Sequence, residues 1–470
     1  MQDDRTVFWH VAVVGLLSFG LAEASLSWRL GGQSPPVDPG VRSGAPGAGG
    51  FLSGLSTDEV NFATAAQTNG FDKQWSVRGT IPGAPTIGLG PRFIAWGCSS
   101  CHSQPAVGGS SPANNNEYIQ ATAWGARNTI PSFITANGPT RIPYMNKTFG
   151  GYSAGTLLKL YTITGRIDAA GCNIAQPDFA TLVANNALSY HIPVPLFGGG
   201  LVEATPSTNL INAQDLSRNT SLGITSGRFN STVRGIQTLG WKATTAGLDA
   251  FAASALSTDL DTTSQIYPKK EDDTVPSCLF NSLPEDAPSY VRRTPNTNSA
   301  SADYASDVTL TAQFVRSLAP PTPACTPVQG SSTICYGTVT QSSIYNGQQK
   351  FIQAGCDACH ILSQTTGSAR LTGQSNLTYY PLSDYALHNM GAGLWDGITS
   401  GAAGPQDFRT PALWGVGQRI WLLHDGRTAD LYQSILAHSS TGSEANTTVS
   451  NFNLLSVSDQ QDILNYLRSF

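Results

Sequence analysis

Two short motifs constrain this 470-residue chain more than any other feature of its sequence. Each has two cysteines three positions apart and a histidine directly after the second: Cys98–His102 and Cys356–His360. Thiols at this spacing can add to the two vinyl groups of one porphyrin, which places the adjacent histidine beneath the iron. The sequence therefore predicts two covalently bound haem c groups. The predicted attachment and iron-ligand residues are Cys98, Cys101 and His102, then Cys356, Cys359 and His360.

A zinc site or a dithiol redox site is the alternative interpretation of any Cys-x-x-Cys pair. Neither alternative explains why a histidine follows each pair directly. The chain has only 8 cysteines and 7 histidines, so two chance matches to the whole pattern would be rare. Haem attachment is therefore the prediction that we carry forward.

The N-terminus has the pattern of a bacterial export signal. An apolar run covers Val7–Ala22, and the small residues at Ala22 and Ala24 fit a cleavage site. We expect residues 1–24 to be a signal peptide and the mature chain to be periplasmic or otherwise exported, with no stable membrane insertion after cleavage. A retained membrane anchor stays open, because the run is close to the shortest length that spans a bilayer.

Four cysteines lie outside the two motifs: Cys172, Cys278, Cys325 and Cys335. An even number in an exported protein indicates two disulfides. Cys325 with Cys335 is the simplest local pair, which leaves Cys172 with Cys278. Free buried thiols are the alternative.

Composition argues against a nucleic-acid partner and indicates where the chain divides into a linker and two domains. Charged residues make up 12% of it and the net charge is −5, which argues against a nucleic-acid partner. Residues 25–50 are rich in glycine, proline and serine and predict a flexible linker. Prolines and cysteines mark a boundary at 318–335. We therefore predict an N-terminal haem domain over 51–320 with a large insertion, and a C-terminal cytochrome c domain over 336–470.

The predicted fold class is mainly α: two cytochrome c-like haem domains, the N-terminal one enlarged by loop-rich insertions. Ser56 and Glu59 form a capping box at the start of one helix. A second helix covers about 342–354, just before the second motif. The last helix opens at Ser458, with Gln461 as its capping partner.

Two helices of the C-terminal domain should cross, as the first and last helices of single-haem cytochromes c do. We expect Gly347 and Phe351 to meet Tyr466 and Leu467 there. Phe351 also stands five positions before Cys356, as Phe93 stands before Cys98. This spacing suggests a faint internal repeat of haem modules.

The sixth coordination position of each iron decides between electron transfer and chemistry, since a strong ligand there keeps a substrate out. For the second haem we predict Met390, with His388 as the rival ligand and core packing as the alternative role. For the first haem, His191 and Met145 are candidates, and either can instead be an ordinary core or surface residue. Three tryptophans are candidates for passing electrons between the haems or for core positions: Trp241, Trp395 and Trp414.

Glu203 is the predicted catalytic residue. It follows the glycine-rich run Gly198–Val202, where the backbone can approach a large flat cofactor. A buried carboxylate over an iron can move a proton between the two oxygens of peroxide; a capping or salt-bridged glutamate is the equal alternative. Arg409 and Arg427 are predicted to bind haem propionates, with solvated surface arginines as the alternative.

Several segments, in a fixed order from about Gly88 to Phe470, resemble the di-haem oxidoreductases, relatives of bacterial di-haem cytochrome c peroxidase that are often labelled peroxidases or thiol oxidoreductases. The segments are Cys98–Ala106, Pro131–Pro139, Gly171–Pro177, Phe197–Ala204, Gly240–Ala243, Leu387–Gly391, Phe408–Gly415 and Leu423–Arg427. The resemblance implies that electrons enter at the haem of His360 and Met390 and that peroxide is reduced at the haem of His102. It also implies that Glu203 is the acid–base glutamate.

The chain departs from this resemblance at two places. Many relatives carry an acidic-Met-Gly-x-Thr segment where this chain has Asp259–Thr263, so Leu260 cannot act as a sulfur ligand. His191 stands where relatives often have arginine. Leu260 favours an open iron at the first haem, whereas His191 could close it.

The leading hypothesis is a peroxidase that takes hydrogen peroxide as its substrate and a small redox protein as its electron donor. A non-catalytic di-haem electron-transfer protein is one alternative. An oxidase of a protein or thiol substrate is the other. The sequence leaves the donor open, and also whether a calcium ion is bound.

Overall fold

The computed structural model describes residues 34–224, 227–233, 235–286 and 305–470. The predicted signal peptide, residues 1–24, and the first part of the predicted linker lie outside these ranges. Within them, no helix is both long and apolar enough to cross a membrane.

Short helices joined by long loops make up most of the regular structure. The α-helices of the described residues are α1 Thr57–Ala66, α2 Asn116–Gln120, α3 Phe179–Ala184, α4 Gly199–Glu203, α5 Ser207–Asn212, α6 Leu216–Ser221, α7 Leu248–Asp259, α8 Asp307–Ser317, α9 Gln341–Ala354, α10 Leu431–Leu436, α11 Asn446–Leu454 and α12 Val457–Arg468. Helix exceeds strand in the described residues, but loops exceed both.

The strands in the described ranges are short and form six antiparallel pairs. Their bounds are β1 Arg92–Phe93, β2 Ile142–Met145, β3 Tyr161–Thr162, β4 Leu188–His191, β5 Ser231–Thr232, β6 Gly235–Ile236, β7 Ile334–Tyr336, β8 Val339–Thr340, β9 Gln364–Thr365, β10 Thr378–Tyr379, β11 Leu387–Asn389 and β12 Asp407–Arg409. The pairs are β1 with β3, β2 with β4, β5 with β6, β7 with β8, β9 with β10 and β11 with β12. In β2 and β4, Ile142 lies opposite His191.

Helices α9 and α12 cross as the sequence predicted. A Cβ atom on Gly347 would lie 2.0 Å from the carbonyl oxygen of Asp462, so only glycine allows this approach. The rings of Phe351 and Tyr466 pack with their centroids 5.7 Å apart. The predicted start of α12 is two residues too late, because Ser456 is the N-cap and its hydroxyl accepts from the backbone N–H of Asp459.

A similar helix pair accompanies the first motif. Helix α1 continues into a π-helical turn that ends at Phe71, and this segment packs on α8. A Cβ atom on Gly70 would lie 2.7 Å from the Cβ of Leu310, and the rings of Phe71 and Phe314 are 4.5 Å apart. The capping box predicted at the start of α1 is present.

Phe71 is the structural counterpart of Phe351. Its ring lies 6.2 Å from that of His102, and the Phe351 ring lies 6.2 Å from that of His360. Phe93, which the sequence spacing favoured, instead lies in β1 opposite Tyr161. The repeat was therefore wrong at this position, because residues 72–97 separate the helix from the first motif.

Pro36–Phe470 forms one unit in space, and its described residues build two main hydrophobic cores and two small clusters. The larger core includes Trp75, Phe314 and Leu256; the smaller is built by α9, α11 and α12 around Phe452 and Leu464. The division into domains 51–320 and 336–470 stays a prediction. Both predicted disulfides are confirmed: Cys172–Cys278, which closes a loop of 106 residues, and Cys325–Cys335.

The described part of the predicted linker is anchored rather than flexible. The carboxylate of Asp38 accepts hydrogen bonds from Nε and Nη2 of Arg468, at 2.8 and 2.6 Å, and from the backbone N–H of Leu431. The Arg468 side chain is fully buried. Composition suggested that residues 25–50 are flexible. Arg468, a buried cation at the end of α12, however needs a carboxylate partner, and Asp38 of this segment is that partner.

We expect Asp38→Ala to lower the free energy of unfolding by about 3–5 kcal/mol, because it leaves the Arg468 guanidinium buried without its partner. Urea unfolding of the purified protein measures the difference. The exposed Asp273 provides the control: Asp273→Ala should change little. Equal effects of the two substitutions would contradict the anchoring role.

The pH dependence of this contact has a defined sign. Burial opposes ionisation of Asp38, but the hydrogen bonds from Arg468 and Leu431 outweigh it and hold the pKa of Asp38 below its ordinary value. The stabilisation is therefore complete above the ordinary aspartate pKa and is lost as pH falls through the lowered one. The stability difference between wild type and Asp38→Ala should shrink only in that acidic range.

Candidate haem sites

Each motif histidine lines a large cavity together with both cysteines of its motif. The cavity at His360 encloses about 1410 Å³ of non-protein space, part of it open to solvent. The cavity at His102 encloses about 1640 Å³ on the same measure. We refer to them as the His360 cavity and the His102 cavity.

Backbone carbonyl groups orient both motif imidazoles in the same way. Nδ1 of His360 lies 2.9 Å from the carbonyl oxygen of Leu382, and Nδ1 of His102 lies 3.0 Å from that of Gly109. A carbonyl only accepts, so Nδ1 donates and Nε2 keeps its lone pair. Burial lowers the pKa of each histidine to about 4. Both rings are thus neutral at neutral pH and in the tautomer that binds a metal through Nε2.

Two buried arginines line the His360 cavity and have no salt-bridge partner among the described residues: Arg409 and Arg419. Arg409 donates to the carbonyl oxygens of Gly240 and Thr410, and the Arg419 guanidinium hydrogen-bonds to no described residue. Burial lowers the pKa of each to about 10, so both stay charged at neutral pH. Buried cations without an anion are costly, and haem propionates would supply the anions.

Arg427 does not have the predicted position. Its side chain is exposed, and Nε and Nη2 bind the Asp425 carboxylate at 2.7 and 2.6 Å. It lines neither cavity, and its Nη1 donates to the carbonyl oxygen of Gly393 at 2.6 Å. The sequence favoured Arg427 over Arg419 only because the former belongs to a recognisable motif.

Three further histidines line the His360 cavity, His388, His424 and His438, and the sequence analysis missed His438. His438 lines the cavity, and its Nδ1 lies 2.7 Å from the carbonyl oxygen of Ser434. Its Nε2 is therefore free, as in His360. The signal was present in the sequence: Leu431, Ile435 and His438 are spaced along one helical face, and all three line this cavity.

The sequence analysis named two other candidates for the sixth position of this iron, Met390 and its rival His388. His388 has both nitrogens occupied, since Nε2 lies 2.9 Å from Asp384 and Nδ1 lies 2.9 Å from Glu444. It therefore has no lone pair to offer. Met390 lines the cavity and also packs against the small hydrophobic cluster of Trp241 and Phe408. Met390 stays the alternative to His438.

Among the described residues that line the His102 cavity, no second imidazole is held by a backbone carbonyl. Met145 is fully buried in the large core and does not line the cavity. His191 does line it, but its Nε2 lies 2.9 Å from a carboxylate oxygen of Asp396. This cavity is therefore not the equivalent of the His360 cavity.

Glu203 lies outside the His102 cavity. Its carboxylate accepts from Nε and Nη2 of Arg316, at 2.6 and 3.1 Å, and from the backbone N–H of Leu248. Burial would raise its pKa, but the hydrogen bonds from Arg316 outweigh this and lower it. Glu203 lines a separate polar cavity together with Arg316 and Asp249. The structure thus gives it the salt-bridged, helix-capping role that the sequence left as the alternative.

Asp259 is the carboxyl group that lines the His102 cavity. It ends α7, and its side chain accepts a hydrogen bond from the Thr258 hydroxyl at 3.2 Å. Burial raises its pKa to about 6, against smaller opposing effects of Thr258 and Lys159. The sequence analysis placed Asp259 beside the departure at Leu260 but did not single it out.

Among the residues that line the two cavities in the described ranges, Trp241 alone lines both. Its indole N–H donates to the carbonyl oxygen of Ile192 at 2.8 Å, which fixes the ring. Trp395 is 42% exposed, and Trp414 is buried away from both cavities. Of the three tryptophans named from the sequence, only Trp241 lies between the candidate haem sites.

Free thiols beside a backbone-held imidazole fit a covalently attached haem in each cavity. The unpaired cations of Arg409 and Arg419 fit its propionates in the His360 cavity. Within the described residues, no group of three or more His, Cys, Asp or Glu side chains could hold a further metal ion.

The sequence of residues 179–470 matches the family described as "Di-haem oxidoreductase, putative peroxidase". The chain belongs to this family. The match contains the second motif, His438, Asp259 and Trp241, whereas the first motif precedes it. No curated protein matches the chain significantly.

Two solved structures are similar to parts of the chain. A MauG-like protein associated with microbial copper homeostasis is 15% identical, over 59% of this chain and 90% of its own, with a TM-score of 0.26. Hydrazine synthase from Kuenenia stuttgartiensis is 17% identical over 35% of this chain, with a TM-score of 0.22. The similarity spans about half, 55%, of that hydrazine synthase chain.

We expect His438→Ala to convert the haem at His360 from low spin to high spin, because it removes an imidazole with a free Nε2 that lines the same cavity. Met390→Leu, which roughly conserves volume, should leave the spin state unchanged. Near-infrared magnetic circular dichroism of the ferric protein distinguishes two imidazole ligands from imidazole with thioether. A thioether signal that disappears in Met390→Leu would instead assign Met390 as the sixth ligand.

Proposed function

We propose that this di-haem oxidoreductase reduces hydrogen peroxide at a haem attached in the His102 cavity, with electrons entering through a haem attached in the His360 cavity. The observation that carries the proposal is the difference between the two cavities. The His360 cavity has a second imidazole with a free Nε2, His438, which suits a six-coordinate haem that only transfers electrons. The His102 cavity has instead a carboxyl group that titrates near neutral pH, Asp259.

A haem bound at His102 would supply the iron that accepts peroxide and passes electrons to it. The overall reaction takes up two electrons and two protons and releases two waters from one peroxide. The chain must therefore deliver protons to the departing oxygen. A group whose pKa lies near the working pH does this best, and burial gives Asp259 that property.

Asp259 replaces Glu203 in this proposal. Glu203 is held as a carboxylate by Arg316 and lies in another cavity, so it has neither the proton nor the position. Asp259 has one weak hydrogen bond and faces the His102 cavity. Its carboxylic acid form can give up a proton, and its carboxylate form can take one back from solvent.

Trp241 gives the electrons a route between the two sites. Its ring lines both cavities and is fixed by its hydrogen bond to Ile192. Each electron would enter singly from a small redox protein, as the sequence suggested. The two disulfides support an exported, periplasmic location, since such bonds persist in oxidising compartments.

Covalent attachment is tested by mass spectrometry of the protein matured in a bacterial host that attaches haem c. We expect the intact chain to carry two haems that survive acid–acetone extraction, because thioether bonds resist it. The double variant Cys356→Ser, Cys359→Ser should carry one. Loss of both haems on extraction of the wild-type protein would show that neither is covalently attached.

The catalytic proposal is tested by steady-state turnover of hydrogen peroxide with a reduced redox donor. We expect Asp259→Asn to lower kcat/KM by about 10²- to 10⁴-fold, the usual contribution of an acid–base group. If Asp259 donates as the acid, wild-type activity should fall as pH rises through about 6, and the variant should lose this dependence.

Glu203→Gln is the matched control, because it changes a carboxylate outside the His102 cavity. It should retain most of the activity and the same pH profile. A large loss in Glu203→Gln with normal activity in Asp259→Asn would reverse the assignment. Two six-coordinate ferric haems in the wild-type protein, without peroxide turnover, would instead indicate an electron-transfer protein.

A further inference from the structure

A buried ion network connects the C-terminal half of the chain to the His102 cavity. His191, at the end of β4, lines that cavity and is 6% exposed. Its Nε2 lies 2.9 Å from Oδ2 of Asp396, whose side chain is fully buried. The peroxidase proposal above gives this pair no role. A carboxylate that holds an imidazole inside a reaction cavity is the arrangement of a general base with its orienting group.

Asp396 is held in its ionised form. Its Oδ1 accepts from Nζ of Lys242 at 2.9 Å and from the backbone N–H of Ile398 at 2.9 Å. The Lys242 ammonium is itself saturated, since it also donates to the carbonyl oxygens of Gly404 and Asp407. Burial would raise the pKa of Asp396, but the bonds from His191 and Lys242 lower it.

The ionised carboxylate fixes the tautomer of His191. Asp396 has no proton to give, so the hydrogen in the short contact belongs to Nε2 of His191, which donates. In the neutral form of the ring, Nδ1 then carries the lone pair, and it makes no hydrogen bond to a described residue. The ring is clamped between Tyr144, with centroids 4.7 Å apart, and His424, at 5.5 Å. His191 therefore offers a proton acceptor in a fixed orientation.

The charged and titratable groups around His191 come from several elements. Asp396 contacts it directly, and Lys242 neutralises Asp396 from behind. Tyr144 of β2 and His424 pack on its two sides. Asp259 lines the same cavity from α7. A proton gained at Nδ1 makes an imidazolium next to the Asp396 carboxylate, which stabilises it.

We propose that His191 is the general base that takes the first proton from hydrogen peroxide, and that Asp396 is its positioning residue. The proposal rests on the proposed function and extends it. The O–H proton of peroxide moves to Nδ1, and the positive charge is shared with Asp396 through the Nε2–H bond. Nδ1 then returns that proton to the departing oxygen. The proton that His191 moves comes from the peroxide itself, so two more are needed: Asp259 supplies one, is reprotonated from solvent and supplies the other. With two electrons from the redox donor, one peroxide becomes two waters.

Cyanide binding tests this step without turnover, because hydrogen cyanide must also lose a proton to bind ferric haem. We expect His191→Gln to slow cyanide association with the wild-type open haem by about 10²-fold or more at neutral pH, the contribution of a lost general base. Asp396→Asn should slow it similarly and change its pH profile, because an amide can donate to Nε2 and move the proton to Nδ1. Tyr144→Phe keeps the packing on His191 and should bind cyanide at close to the wild-type rate.

Nitrogen-15 NMR of the His191 imidazole, in the haem-loaded protein with its iron reduced, reports the tautomer directly. We expect the His191 proton on Nε2 in the wild type and on Nδ1 in Asp396→Asn. Stopped-flow and NMR readouts that follow this pattern support the proposal. Unchanged cyanide association in His191→Gln would overturn it.

One further outcome would also overturn it: a wild-type haem at His102 that is low spin and becomes high spin in His191→Gln, since His191 would then be an iron ligand. The cyanide and tautomer measurements test His191 independently of whether the protein reduces peroxide. Absence of peroxide turnover together with the expected cyanide and tautomer changes would refute the peroxidase proposal. It would leave His191 as a proton acceptor for ligands of that haem.

Discussion

The hydrogen bond from Nδ1 of each motif histidine to a backbone carbonyl is the interaction on which both candidate haem sites depend. It fixes the tautomer and the ring orientation, so that Nε2 of His102 and of His360 keeps its lone pair. The carbonyl groups belong to Gly109 and Leu382, and helix pairs pack against each motif from one side. A ring free to rotate could hold a proton on Nε2 and lose its use as a ligand.

The two candidate haem sites share this hydrogen bond to the motif histidine and differ in the other residues that line their cavities. The His360 cavity brings a second carbonyl-held imidazole, His438, and two buried arginines without a salt-bridge partner in the described part of the chain. The His102 cavity brings Asp259 and a histidine that a buried carboxylate holds by its other nitrogen. Burial affects protonation at both sites. It lowers the pKa of the two motif histidines to about 4, so that they are neutral at neutral pH, and it raises the pKa of Asp259 to about 6.

Local patterns predicted the features that depend on neighbours in sequence. The capping box at Ser56, the helix before Cys356 and the close approach at Gly347 are confirmed, and the two disulfides follow from a simple count of cysteines. The prediction of Glu203 over the iron had no such support. A glycine-rich segment before a carboxylate does not determine which cavity the carboxylate enters. Arg316, which binds Glu203 outside the His102 cavity, belongs to a helix far along the chain.

The sequence by itself determined that the chain has two Cys-x-x-Cys-His motifs and which histidine follows each cysteine pair, because the pattern needs only five consecutive residues. Tertiary structure alone decided what each iron would face. His438, Asp259 and the pair His191 with Asp396 are brought to the cavities by elements separated by long stretches of chain. Their protonation states depend on burial and on buried partners, such as Lys242 behind Asp396, which no local pattern contains.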